Sequence, residues 1–157
     1  MDKREVKWMK EDIIPCLESM GFLIQTNEQN GSTGIPDILA IKQNIYFFIE
    51  LKVKGLNDWR IFEPSQFAWR VRHIASGNRN LFTIIKSPEA ESKYCLLCHA
   101  NSGSEAFLRT MPNVATLRDS VDGSEDNGNI TVGIYGDYHD ALHDCFEIAR
   151  AFTRGEL

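Results

Sequence analysis

Asp37, Glu50 and Lys52 are the residues of this chain whose types and spacing are best suited to chemistry. Two carboxylates held side by side repel unless a proton or a cation sits between them, and a divalent ion with hard oxygen ligands is the simplest occupant. An ammonium two residues from one of the acids would add positive charge where a phosphate ester becomes more anionic during hydrolysis. The trio therefore suits metal-assisted cleavage of a phosphodiester, provided the backbone brings the two acids together.

That condition falls on a hairpin. Ile35 to Ile41 and Ile45 to Val53 are rich in Ile, Phe, Tyr and Val, which fit a pleated surface, and only Lys42, Gln43 and Asn44 separate them. A two-residue turn at Gln43-Asn44 pairs Lys42 with Ile45, and counting back along both strands sets Asp37 opposite Glu50. Directly opposed Cβ atoms lie about 4.5 to 5.5 Å apart. A three-residue loop would instead set Asp37 opposite Ile49 and separate the acids. Alternation places Tyr46, Phe48, Glu50 and Lys52 on one face of the second strand, toward a cleft, and Ile45, Phe47, Ile49, Leu51 and Val53 on an apolar face against a core. The plainer reading of the same residues is a surface hairpin with solvated charges.

Around the hairpin, apolar positions Val6, Met9, Ile13, Leu17 and Met20 predict a helix from residue 3 to about 20, interrupted at Pro15 and stopped by Gly21. Rotation of 100° per residue sets Glu5 in a strip with Met9, Asp12 and Cys16 beside the apolar face, and Glu11 with Arg4, Lys7, Trp8 and Glu18 on the exposed side. Phe22–Thr26 reads as a strand, and NEQNGSTG (27–34) as a polar loop leading to Asp37. Ser65 is a fitting N-cap for a helix from Gln66 to about Ser76, with Phe67, Val71 and Ile74 toward the core and Gln66, Trp69, Arg70 and His73 toward the cleft. Gln66 would there orient Lys52, a water or a phosphate. Leu81–Ile85 and Tyr94–His99 follow as strands. Ser120–Asn129 is an acidic loop, Ile130–Tyr135 a strand, and Tyr138–Phe152 a helix with Ala141, Leu142, Cys145, Ile148, Ala149 and Phe152 as its apolar stripe.

Gly34-Ile35-Pro36-Asp37, then Ile49-Glu50-Leu51-Lys52, then Pro64-Ser65-Gln66 before an amphipathic helix resembles the PD-(D/E)XK nuclease superfamily. Within it the pattern is most similar to the VRR-NUC type and the archaeal Holliday junction resolvases. The resemblance covers about residues 1 to 86. It implies a restriction-endonuclease-like αβββαβ core of the α/β (α+β) class, a central mixed sheet flanked by helices, with residues 101–157 as C-terminal decoration of a single domain. It further implies Mg²⁺ or Mn²⁺ held by Asp37, Glu50 and the Leu51 carbonyl, with Glu5 as the best further acid. Lys52 and Gln66 would complete the catalytic set, the substrate would be DNA, and the products would carry 3′-hydroxyl and 5′-phosphate ends. A junction resolvase would also need a homodimer to cut two strands.

The 157 residues suffice for one domain, and 43% hydrophobic with 25% charged content is ordinary for a globular protein. No long apolar run or signal-type start is present, so a cytoplasmic protein with no membrane contact is expected. A net charge of −5 disfavours a protein that merely coats nucleic acid. The basic residues gather instead near the cleft, where Lys54, Arg60, Arg70 and His73 are the candidate nucleic-acid contacts, while the last third is acidic. Cys95-Leu-Leu-Cys98-His99 spells a haem attachment pattern within an apolar strand, and no haem is expected. Zinc on Cys95, Cys98, His139 and His143 is disfavoured, because forty residues separate the two pairs. No helix-turn-helix, zinc finger or aromatic RNP-like strand is visible, so recognition by shape or strand end is expected. The competing reading is a catalytically inactive nuclease-fold module that binds nucleic acid or a protein.

Overall fold

Gln43 and Asn44 form the two-residue turn, with φ of 53° and 66°. Both are left-handed, as a type I′ turn requires, and the twist of such a turn matches that of the strands it joins. The computed structural model describes residues 2–27, 34–55, 62–86, 95–100 and 130–156, with the backbone alone for 95–100 and 130–134. From the turn, β2 (Ile38–Lys42) and β3 (Ile45–Val53) pair in the expected register, Lys42 with Ile45 through Ile38 with Ile49. The first of these strands is shorter than expected. It begins at Ile38 because Pro36, which a longer ladder would set against Leu51, has no N–H to give.

Ahead of the hairpin, α1 (Lys3–Trp8), a π-helical turn (Met9–Ile13) and α2 (Ile14–Ser19) form one helical run. The wide turn answers Pro15, whose ring would strike the carbonyl four residues back in a regular helix. Ile14 N–H accordingly donates to the Met9 carbonyl, five residues back. Trp8, expected on the exposed side, is buried, with the Lys86 ammonium over its ring. Gly21, at φ 91°, ends the run, Gly21 N–H bonding the Glu18 carbonyl and Phe22 N–H the Leu17 carbonyl. β1 (Leu23–Thr26) then pairs antiparallel with β2.

After β3 the chain crosses over through α3 (Pro64–Ala75) to β4 (Leu81–Lys86), which lies parallel to β3. The N-cap of α3 is Glu63 rather than the expected Ser65, since Pro64 is pre-shaped for the first helical position. Its sheet-facing side also differs. Trp69, Arg70 and Ile74 are buried, whereas Phe67 and Val71 are only half-buried. β5 (Cys95–Ala100) and β6 (Ile130–Tyr135) extend the sheet antiparallel, giving the order β1-β2-β3-β4-β5-β6. The fold is α+β, a mixed sheet with helices on its faces.

The core lies on the face opposite α3. Ile45, Phe47, Ile49, Leu51 and Val53 meet Trp8, Met9, Ile13 and Leu17 from the first helices. They also meet Ala141, Leu142, Cys145, Phe146 and Ala149 from α4 (Tyr138–Thr153), so the C-terminal helix is part of the core rather than an addition to it. Phe146 joins the predicted stripe by meeting Phe22 edge to face, and Phe152 is only half-buried. Among the described residues no helix is long and apolar enough to cross a membrane.

Candidate active site

β3 sends alternate N–H groups to its two sides. Phe48 and Lys54 donate toward β4, to the carbonyls of Asn80 and Lys86. Leu51 and Val53 face the other way, past the point where β2 begins, and carboxylates meet them there. Asp37 Oδ2 accepts from Leu51 N–H at 2.8 Å, and Glu5 Oε1 accepts from Val53 N–H at 3.2 Å. Two buried backbone donors that a longer β2 would have satisfied are thus taken by acids, which draws Asp37 and Glu5 to the same stretch of strand. The other oxygen of Glu5 accepts from Asp2 N–H in a capping box at the start of α1.

Glu50 points to the opposite side of the sheet from the core, beneath α3. Gln66, in the first turn of α3, bridges Glu50 and Lys52: its Nε2 donates to Glu50 Oε1 at 2.6 Å, and its Oε1 accepts from Lys52 Nζ at 2.8 Å. The same Oε1 accepts from Glu63 N–H and so closes the helix cap. Lys52 Nζ lies 3.5 Å from Glu50 Oε1. Among the described residues Glu50 Oε2 is buried with no hydrogen-bond partner. A charged oxygen left in that state is costly, and it is the donor that a cation would take up.

The electrostatics agree with that geometry. Burial, and next the charge of Glu50, push the Asp37 carboxyl up to about 7, against the opposing pull of Leu51 N–H and Lys52. Burial likewise raises Glu50, with Arg70 and Lys52 acting against it. Acids this reluctant to ionise together are ones that a divalent ion would discharge. Among the described residues no three Asp, Glu, His or Cys side chains gather as a complete cage. The donor set is therefore two hard carboxylates, with room for backbone, water or substrate oxygens, which suits Mg²⁺ better than a metal that needs an all-protein cage. Residues of one narrow antiparallel pair exchange both bonds, so the carbonyl of Leu51 faces the same side as its N–H, toward Asp37.

Gly34 has a part in the site that its sequence context did not reveal. At φ 72°, a Cβ added there would stand 2.0 Å from the Ser65 carbonyl oxygen and 2.9 Å from Gln66 N. The segment leading to Asp37 therefore rests directly on the backbone of the turn that carries Gln66. Only a residue without a side chain permits that approach.

No family model matches the chain, and no curated protein does. Among solved structures it is similar to Hjc, a Holliday junction resolvase from the archaeal hyperthermophile Archaeoglobus fulgidus. The likeness has 16% identity and a TM-score of 0.42, and spans 60% of this chain and 71% of that one. What the chain does has to be read from its own residues.

Among the expected nucleic-acid contacts, Arg70 is displaced from that role. It is 2% exposed, donates to Thr83 Oγ1 at 2.7 Å and lies over the Phe62 ring, an internal cation near Glu50 rather than a phosphate contact. His73 is half-buried and stacked on Trp69 with centroids 3.6 Å apart, and burial, then Arg72, lowers its pKa. Lys54 is half-buried. Arg60, most of the 27–34 loop and the 120–129 loop lie outside the described residues, as do the side chains of Cys95 and Cys98. His139 and His143 are exposed on α4. The aromatic residues expected on the cleft side of the strand and the helix also meet as one group. Tyr46 meets Phe48, and Phe48 meets Trp69 and His73, edge to face. The alternation along the strand placed Tyr46 and Phe48 on the side of Glu50, and what it did not give was their contact with α3.

Proposed function

We propose that this chain is a divalent-metal-dependent nuclease that hydrolyses phosphodiester bonds in DNA, selecting its substrate by structure rather than by sequence. The reading is carried by the buried acid pair Asp37 and Glu50, with Glu50 Oε2 unpartnered and Lys52 beside it. Asp37, Glu50 and the Leu51 carbonyl would hold Mg²⁺ or Mn²⁺. Bound there, the ion supplies Lewis acidity toward a phosphate oxygen and a water. Glu5 accepts one hydrogen bond at each oxygen, from Asp2 N–H and Val53 N–H, which fixes its carboxylate beside the pair and leaves each oxygen a lone pair for an outer contact to the ion or its water.

Lys52 supplies a fixed positive charge at the anionic transition state, aimed by the Gln66 carbonyl. Gln66 also holds Glu50 through its amide N–H, so the acid and the ammonium keep their spacing when substrate arrives. Burial of the pair keeps water from screening either charge.

The competing reading is a binding module whose site is silent. One assay separates the two. Branched, single-stranded and duplex DNA are incubated with the protein in Mg²⁺ or Mn²⁺, with chelator as the blank. Cleavage is expected, lost on chelation and on Asp37→Ala, and lowered on the order of a hundredfold or more by Lys52→Ala. No cleavage of any substrate would sink the enzyme, and cleavage that survives Asp37→Ala would sink the site.

A further inference from the structure

The sheet face that holds Glu50 continues away from the acids as an open shelf. The register sets Leu23 beside Ile41 and Ile41 beside Tyr46 in one cross-strand row, and Gln25, Leu39 and Phe48 in the next, with Glu50 following along β3. α3 covers this face over β3 and β4, through Trp69 against Phe48 and Arg70 against Thr83. β1 and β2 are left uncovered among the described residues. Leu23 is 70% and Tyr46 42% exposed, and with Ile35, two residues before Asp37, they make up the exposed large hydrophobics of the described residues. Such residues scattered singly need no account, but two of these three share one row on the acid pair's face.

The shelf has a definite chemistry. Neither row carries a Lys, Arg, Asp or Glu. Without cations these rows cannot hold a phosphate backbone of either form, and in a duplex the base faces are already stacked on one another, so only an unpaired strand has base faces to lay here. Nucleobases offer flat apolar faces, and an exposed tyrosine ring braced from behind is what they stack on. Tyr46 is braced by Phe48, itself fixed by Trp69 and His73. Four residues of strand, about 13 Å, separate Tyr46 from Glu50, so a strand cleaved at the acids would lay its neighbouring nucleotides along these rows.

From this we infer that the substrate of the proposed nuclease is unpaired next to the cut, and that its bases lie on the shelf with one stacked on Tyr46. The inference rests on the nuclease reading for the identity of the strand, but it is tested without cleavage. Affinities for a labelled twelve-residue oligothymidylate and for a blunt duplex of the same length are measured by fluorescence anisotropy in chelator. The single strand should bind more tightly. Tyr46→Ala should weaken it roughly five- to a hundredfold and leave the duplex unchanged, and Tyr46→Trp should restore it. Thermal melts check that both variants fold. In the Trp variant, oligothymidylate should also quench the new indole's emission.

Single-strand affinity unmoved by Tyr46→Ala overturns the inference, as does an equal loss for both DNAs. A dimer that Tyr46→Ala dissociates in sedimentation also overturns it, since the shelf would then be an interface between copies. Tight, Tyr46-dependent single-strand binding without cleavage in Mg²⁺ or Mn²⁺ would leave the shelf standing and the nuclease reading fallen. Asp37-dependent cleavage with no effect of Tyr46 would do the reverse.

Discussion

Asp37 carries two duties that pull against one another. As a partner of Leu51 N–H it is favoured as an anion, yet burial and the nearby Glu50 hold its proton on up to about 7. The sign of the consequence follows from linkage. The folded chain keeps a proton that the unfolded chain releases near the ordinary carboxylate value of 3.8, so this residue's contribution to stability falls as pH rises from about 4 to about 7. Asp37→Asn removes that slope. In chelator, the variant should melt above the parent at pH 7 and higher, with the difference vanishing near pH 4, and differential scanning calorimetry across the range checks it. A parent curve parallel to the variant's would show that Asp37 is not raised. Metal must displace the same proton, so below pH 7 Mg²⁺ should bind more tightly as pH rises.

At the scale of elements, the site depends on where segments touch more than on which residues they carry. Gly34 is the clearest case. Its positive φ alone would cost an alanine about 1 kcal/mol or more, and the Ser65 carbonyl at 2.0 Å forces the Asp37 segment off the turn that holds Gln66. Gly34→Ala should lower the melting temperature and also weaken Mg²⁺ binding, read by titration calorimetry at a temperature where the variant is fully folded. Normal metal affinity in the folded variant would reduce Gly34 to a turn residue. The hairpin was legible in the sequence because its register follows from one turn: Gln43 and Asn44 leave a single way to pair β2 with β3 once a two-residue loop is assumed. The contact of Gly34 with Ser65 was not, because a close approach between segments thirty residues apart leaves no local periodicity. The same holds for Arg70, whose charge pointed to solvent while its place in α3 put it under the helix against Thr83. The N-cap at Glu63 was readable from Pro64, and Ser65 was preferred only on its own propensity.

For the molecule as a whole, the core that backs the acid-bearing strand is assembled from both ends of the chain. Leu142 and Cys145 of α4 lie in the same cluster as Ile13, Phe47 and Leu51. β3 is therefore held flat between α3, which carries Gln66, and a layer that is complete only when α4 is in place. Leu142→Ala should cost about 2 to 5 kcal/mol in urea unfolding, with kcat near that of the parent under folding conditions, because the residue touches the support and not the site. A loss much under 1 kcal/mol would mean that α4 is loosely held. The division of the sheet into a core face and a site face was legible from strict alternation in β3. The share of α4 in that core was visible only as an apolar stripe without a stated partner.

The wide turn at Met9–Ile13 changes the angle between two alignments that a regular helix would set differently. In an uninterrupted helix, the direction of Glu5 would be fixed by that of Ile13 and Leu17, eight and twelve positions on, so any change in how the helix lies on the sheet would swing the acid as well. One added residue works as an offset between two coupled gears. With that offset the downstream half sets Ile13 and Leu17 into the core beneath β3 while the upstream half aims a carboxylate at Val53 N–H, and a proline that looks like damage to a helix sets the angle between the two.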